Sequence, residues 1–213
     1  MKQTEPLVIT ISRDAGSGAS YVGHHLAKNL GMGYVDRVIV REAAVQLSVL
    51  EKDLESMDEA VPSFWRAFVQ NNYFFPDVYA PPKLMLPSGR ELFEVESKII
   101  SRIAHEAPAV IVGRCGFHVL REHPNHVRVF LHGHLEFRTE RFQKLYQLTR
   151  AEAARAIARL DKARNAYCKA FTGRDGIDAR NFDLSIDTSR LVDLDQATEL
   201  ILHYVRLRQP PTP

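Results

Sequence analysis

The stretch ITISRDAGSGASYVGHHLAKNLG, residues 9–31, decides the fold. The run "LVITIS" (7–12) is short, β-branched and reads as a buried strand. A Gly-Ser-Gly loop follows, then a helical pattern over 18–30 that places Val22, Leu26 and Leu30 on one face and stops at Gly31. Strand, glycine loop and helix are the parts of a phosphate-binding loop. Against the pattern G-x-x-x-x-G-K-[ST], Gly18 takes the second glycine and Ser20 the hydroxyl, while Arg13 falls on the first glycine and Ala19 on the lysine. Backbone amides do most of the holding in such loops. Gly16 and Gly18 allow close approach, and a helix N-terminus adds about half a positive charge. The candidate phosphate-binding set is therefore Arg13, Gly16, Ser17, Gly18, Ala19 and Ser20, with the Arg13 guanidinium standing in for the missing ammonium. Two other readings use the same residues. One is a strand-to-helix turn with glycines for tightness. The other is a dinucleotide G-x-G-x-x-G, whose third glycine would be Tyr21 and whose ribose-binding acid would be Asp36.

A chain of 213 residues, 45% hydrophobic and 25% charged, suits one soluble globular domain with a mobile lid. A net charge of +2 argues against wholesale binding to nucleic acid or membranes. The opening apolar run is broken by Arg13, so no signal peptide is expected, and no segment approaches the roughly 20 apolar residues that span a bilayer. Two cysteines, Cys115 and Cys168, make no disulfide framework, and a reducing cytoplasm is the expected location. Charge is uneven: 137–180 carries eleven Lys/Arg against five Asp/Glu, consistent with a local site for something anionic or with a solvated helix face.

Further strands are expected at "AVIV" (109–112), "VRVFLHG" (127–133), "FDLSID" (182–187) and, more weakly, "YVD" (34–36). Between them, 91–105 sets Leu92, Val95, Ile99 and Ile103 together. Thr149 with Glu152 forms a capping box for a long helix, and Asp193 with Gln196 opens the last one. Alternating strands and helices predict an α/β domain around a mostly parallel sheet. The exception is 61–90, aromatic-dense and Pro-punctuated, which reads as an insertion. Its Trp65, Phe68, Phe74 and Phe75 fit packing or a homodimer contact better than base stacking. Nine histidines include His123, His126, His132 and His134, yet none has a carboxylate or cysteine at metal-ligand spacing.

Three downstream stretches arbitrate: "VIVGRCGFHVL" (110–120), "LDKARNAYCKAFTGRDG" (160–176) and "FDLSIDTSRLVDLDQATELI" (182–201). Together with "ISRDAGSGAS" and "LGMGYVDR", they make the chain resemble the cytidylate kinase-like branch of the P-loop nucleoside monophosphate kinases, in order from about Leu7 to Tyr204. The resemblance implies a P-loop kinase-like three-layer fold with a five-stranded parallel sheet, an acceptor-binding region about 37–92 and an arginine-bearing lid about 149–176. It also implies acceptor contacts from Asp36, Arg114 (after Gly113), Asp161 and Arg164. Three departures stand out: Cys115 where the family has Asp, Arg37 where it has Thr-Gly, and Ala19.

Phosphoryl transfer needs alignment and neutralisation of charge by a part that closes over the reactants. Arg13, Arg155, Arg159 and Arg164 are the candidate catalytic cations. Arg155, Arg159 and Lys162 form one stripe of the lid helix, and Asp161 with Arg164 a neighbouring one shared with Ile157 and Cys168. Magnesium would ride on the ATP phosphates with Ser20 as its protein ligand. The plainer alternatives are an intrahelical Asp161–Arg164 pair, a strand-capping Arg114, a turn-forming Asp36 and packed thiols. The expected function is ATP-dependent phosphoryl transfer to a nucleoside monophosphate, CMP or dCMP first. The rivals are a different acceptor or a nucleotide-binding module without turnover; a dinucleotide-dependent oxidoreductase would leave the lid unexplained.

Overall fold

The computed structural model describes residues 5–36, 40 and 90–208; the aromatic stretch 61–90, apart from Arg90, and most of 37–92 lie outside them. Five strands, β1 (Val8–Arg13), β2 (Gly33–Val35), β3 (Ala109–Val112), β4 (His126–His132) and β5 (Leu184–Asp187), form one all-parallel sheet of order β2-β3-β1-β4-β5. The helices are α1 (Ala19–Leu30), α2 (Arg90–Glu106), α3 (Gly116–Val119), α4 (Leu135–Tyr146), α5 (Arg150–Thr172) and α6 (Asp195–Arg208).

The alternation of side chains along each strand sorts the core into two faces. Ile9, Ile11, Val110, Val112, Val129 and Leu131 pack with Val22 and Leu26 of α1 and with Ala197 and Ile201 of α6. Val8, Val35, Ala109 and Ile111 point the other way, against Ile99, Ile100 and Ile103 of α2 and Leu120 after α3. The result is the expected three-layer α/β fold with a five-stranded parallel sheet. The capping box forms as read: the Glu152 amide donates to Thr149 Oγ1, and the Thr149 amide donates to the Glu152 carboxylate at 2.9 Å.

Helix α4 is absent from the sequence reading. It packs on α5 through Phe142 against Ala153, Ile157 and Leu160, and Ala15 of the glycine loop joins that cluster. The α4–α5 hairpin is thus seated on the loop through a small apolar core, at the end of the sheet where parallel α/β folds bind ligands.

Candidate active site

The loop begins where β1 ends. The Asp14 amide donates to Leu131 O at 3.0 Å, and the Ser17 hydroxyl closes a turn by donating to Asp14 O at 3.0 Å. Ser17 is fully buried, so its hydroxyl serves the loop itself. Gly16 and Gly18 hold φ of +86° and +89°, a region that other residues rarely occupy. A Cβ on Gly16 would also lie 2.8 Å from the Arg138 carbonyl oxygen. The amides of Gly16, Gly18, Ala19 and Ser20 have no acceptor among the described residues, leaving a cradle of N–H groups at the start of α1. Ser20 is half-buried in the first helical turn, where its hydroxyl could meet a nucleotide-bound magnesium ion. Ala19 sits in the core at 2% exposure, so the lysine position is packed as well as uncharged.

The Ala15 amide, by contrast, is engaged from outside the loop. Ala15 N–H donates to Asp161 Oδ1 at 2.7 Å. Arg138 completes the arrangement: Nη1 donates to Asp161 Oδ2 at 2.6 Å and to Ala15 O at 3.1 Å, while Nε donates to Gly133 O at 2.8 Å. Arg164 Nη1 stands 3.9 Å from Asp161 Oδ1. The Asp161–Arg164 pair is therefore more than an intrahelical contact, because the carboxylate spans from α5 to the loop. Beside it, burial and the neighbouring Asp161 charge raise the carboxyl of Asp14 above its usual range.

A cavity of about 120 Å³ lies next to the loop, lined by Arg13, Arg114, Arg164, Phe117, Phe130 and Tyr167 among others. Arg13 reaches it across Gly113, where a Cβ would fall 2.6 Å from Arg13 Nη1. Arg164 keeps 31% of its side-chain surface, yet Nη1 itself is buried with no hydrogen-bond partner among the described residues. Burial and the nearby Arg13 charge lower Arg164 to about 9, with Asp161 opposing. Two guanidiniums crowded in this way favour a bound anion. Arg114 follows Gly113 in a turn where φ is +87°, +56° and +53° at Gly113, Arg114 and Cys115. Its guanidinium pairs with the fully buried Glu96 of α2 and donates to the Tyr167 hydroxyl.

Cys115 and Cys168 are buried and line the same cavity. Hydrogen bonding between the thiols lowers Cys168, aided by the Thr172 hydroxyl, and raises Cys115. Among the described residues no cluster of three or more His, Cys, Asp or Glu could hold a metal ion.

Two groups of expected residues fall elsewhere. Arg155 and Arg159 are exposed. With 100° per residue, they sit roughly 120–160° around α5 from Asp161, so their stripe is opposite the loop-facing one rather than beside it. Asp36 follows β2, at the sheet edge beyond β3, and does not line the cavity; its carbonyl accepts from the Val40 amide at 3.0 Å. Sequence reading also missed Arg138 and Glu96, and with them a second cleft of about 430 Å³. That cleft is lined by Tyr21, Phe137, Arg141, Leu191, Val192 and Leu194, among others, and Leu194 packs against the loop's Gly18.

A parallel sheet in this strand order, with a glycine loop after its first strand and an arginine-bearing hairpin seated on that loop, defines a P-loop kinase-type protein. Residues 8–190 match the sequence model of the cytidylate kinase-like family, and the chain belongs to that family. Membership makes it a kinase-like, nucleotide-dependent phosphotransferase by class. No curated protein matches the sequence. Among solved structures, an uncharacterized protein from Eubacterium ventriosum is 22% identical, with 95% of this chain and 99% of that one covered and a TM-score of 0.71. A gluconokinase from Sinorhizobium meliloti is 14% identical over 96% and 94% of the two chains, with a TM-score of 0.51. These likenesses extend to the fold. No helix among the described residues is long and apolar enough to cross a membrane.

Proposed function

We propose that the chain is a single-domain cytoplasmic kinase that transfers the γ-phosphoryl group of ATP to a nucleoside monophosphate, with CMP and dCMP as the first acceptors to test. The observation that carries this reading is the adjacency of two anion-seeking features: the open amides of Gly16, Gly18, Ala19 and Ser20, and the cavity where Arg13 and Arg164 converge. The donor polyphosphate lies on the amides, with magnesium carried on it beside Ser20 and neutralising charge on the transferring group. The donor base enters the cleft of Tyr21, Phe137 and Arg141. Arg13 stands at the border of loop and cavity, so its guanidinium grips oxygens of the migrating phosphoryl group and takes the role of the absent lysine.

The acceptor phosphate fits the cavity, but about 120 Å³ is below the roughly 300 Å³ at which small-molecule pockets begin. The acceptor nucleoside therefore extends beyond it, and we assign its contacts to Asp36, which follows the edge strand β2, and to residues within 37–92. Arg155 and Arg159 join the reaction only through a lid movement that turns them inward. The same small volume supports a second reading in which the fold and donor are kept and a different, smaller phosphorylatable acceptor is used. ADP formation from Mg-ATP against a panel of nucleoside monophosphates separates the two. Release with one monophosphate supports the first reading. Release with none, together with release for a small hydroxylated acceptor, supports the second. Tight ATP binding without release for any acceptor identifies a binding module and rejects both.

A further inference from the structure

Glu96 is a fully buried carboxylate, and the phosphate chemistry has no direct use for it. Among the described residues its paired cation is Arg114, whose side chain is itself only 5% exposed. Burying both ions gives up hydration that their attraction does not fully return, and an apolar pair would fill the same space without that loss. The backbone around Arg114 is equally unusual. Arg114 and Cys115 both hold left-handed φ directly after Gly113, a conformation that survives when surrounding contacts enforce it. Arg114 also lies 4.7 Å over the Tyr167 ring and donates to the Tyr167 hydroxyl, and Tyr167 packs edge-on against Phe93, one turn from Glu96 on α2. A chain of contacts thus runs from α2 through the turn after β3 to the lid helix α5, with Arg114 facing the cavity at its centre.

We propose that Glu96 is a positioning residue that holds the Arg114 guanidinium in the cavity against Tyr167, and so fixes the site for the acceptor phosphate. The inference rests on the reading of that cavity as the acceptor site. Glu96 touches no reactant in this account. Its charge keeps Arg114 from swinging toward the loop or into solvent.

The test compares wild type with Glu96→Gln and with the doubly neutral Glu96→Gln/Arg114→Met. Steady-state kinetics with the best acceptor of the monophosphate panel is one readout, and the Arg114 Nε–Hε NMR resonance is the other. The expected result for Glu96→Gln is an acceptor KM raised about tenfold or more with the ATP KM within about twofold, and loss of a sharp Arg114 resonance. The double variant regains the thermal midpoint that Glu96→Gln loses, because no unpaired charge stays buried, but does not regain acceptor affinity. An unchanged acceptor KM, or equal rises in both KM values that track a fall in thermal midpoint, overturns the proposal and leaves the kinase reading standing. If wild type turns over no monophosphate, the kinase reading fails instead. The resonance then decides: sharp in wild type and lost in Glu96→Gln supports positioning, and unchanged in both rejects it.

Discussion

Asp161 on helix α5 accepts the Ala15 amide of the glycine loop at 2.7 Å, across 146 residues of sequence. The same carboxylate binds Arg138 at 2.6 Å, so one side chain ties loop, α4 and α5 together. Asp161→Asn keeps the shape and removes the charge, leaving the Arg138 side chain, 12% exposed, without this paired carboxylate. The expected outcome is a loss of about 1–3 kcal/mol in urea denaturation together with a fall in kcat of about tenfold or more. Wild-type stability and rate in this variant would show that the tie has no role.

Restoring the lysine should not help. Ala19 is 2% exposed in the cluster with Val22, Leu26 and Leu194, so an ammonium introduced there must be buried or must push the helix start aside. Ala19→Lys is expected to lower the thermal midpoint by several degrees and to leave ATP affinity no better than wild type. A variant of normal stability with tighter ATP binding would mean that the position opens toward the phosphates after all.

Gly16→Ala probes the loop backbone. Its φ of +86° disfavours any side chain, and the Arg138 carbonyl oxygen 2.8 Å from the built Cβ leaves it no room. The substitution should cost about 1–3 kcal/mol and weaken ATP binding by calorimetry at least tenfold. Unchanged ATP affinity would remove the loop from the binding site.

His126 sets an acid limit on stability. Nδ1–H donates to Leu120 O at 2.9 Å, and Nε2 accepts from the Thr10 hydroxyl at 2.8 Å, a fully satisfied neutral ring. Burial lowers its pKa from 6.5 to about 4. Because the folded value lies below the unfolded one, the unfolded chain takes up the proton first as pH falls. Stability present above pH 6.5 is lost progressively down to about pH 4, by about 3 kcal/mol in all. Denaturation midpoints between pH 7 and pH 4 should fall in wild type and fall less steeply in His126→Gln. Parallel curves for the two would contradict this origin.

The legible parts of the molecule are those coded locally. The β-branched run 109–112 is β3 residue for residue, and Thr149 with Glu152 caps α5 where expected. The glycine loop announced itself through Gly16 and Gly18, whose backbone conformations the side-chain rules demand. Helix α4 escaped because Phe137, Phe142 and Tyr146 are interleaved with seven charged or polar residues over a short span, and Arg138 went unread with it. The Glu96–Arg114 pair joins a helix to a turn in a conformation with no local signature, so it becomes visible only once α2 is laid against β3. Arg155 and Arg159 of α5 show a different limit of local reading. Spacing placed Arg155 and Arg159 together correctly, but which face of α5 meets the loop is settled by Ala153, Ile157 and Leu160, and that face carries Asp161 and Arg164.

If loop amides and a guanidinium do the work of a loop lysine, Arg13 is the group to remove, and the initial rate of ADP formation from Mg-ATP in wild type and Arg13→Ala, each saturated with the best nucleoside monophosphate of the panel, reads its contribution. The expected result is acceptor-dependent ADP formation by wild type and a rate about a hundredfold lower in a normally folded Arg13→Ala. Wild type without acceptor-dependent turnover, or Arg13→Ala turning over at the wild-type rate, would contradict it.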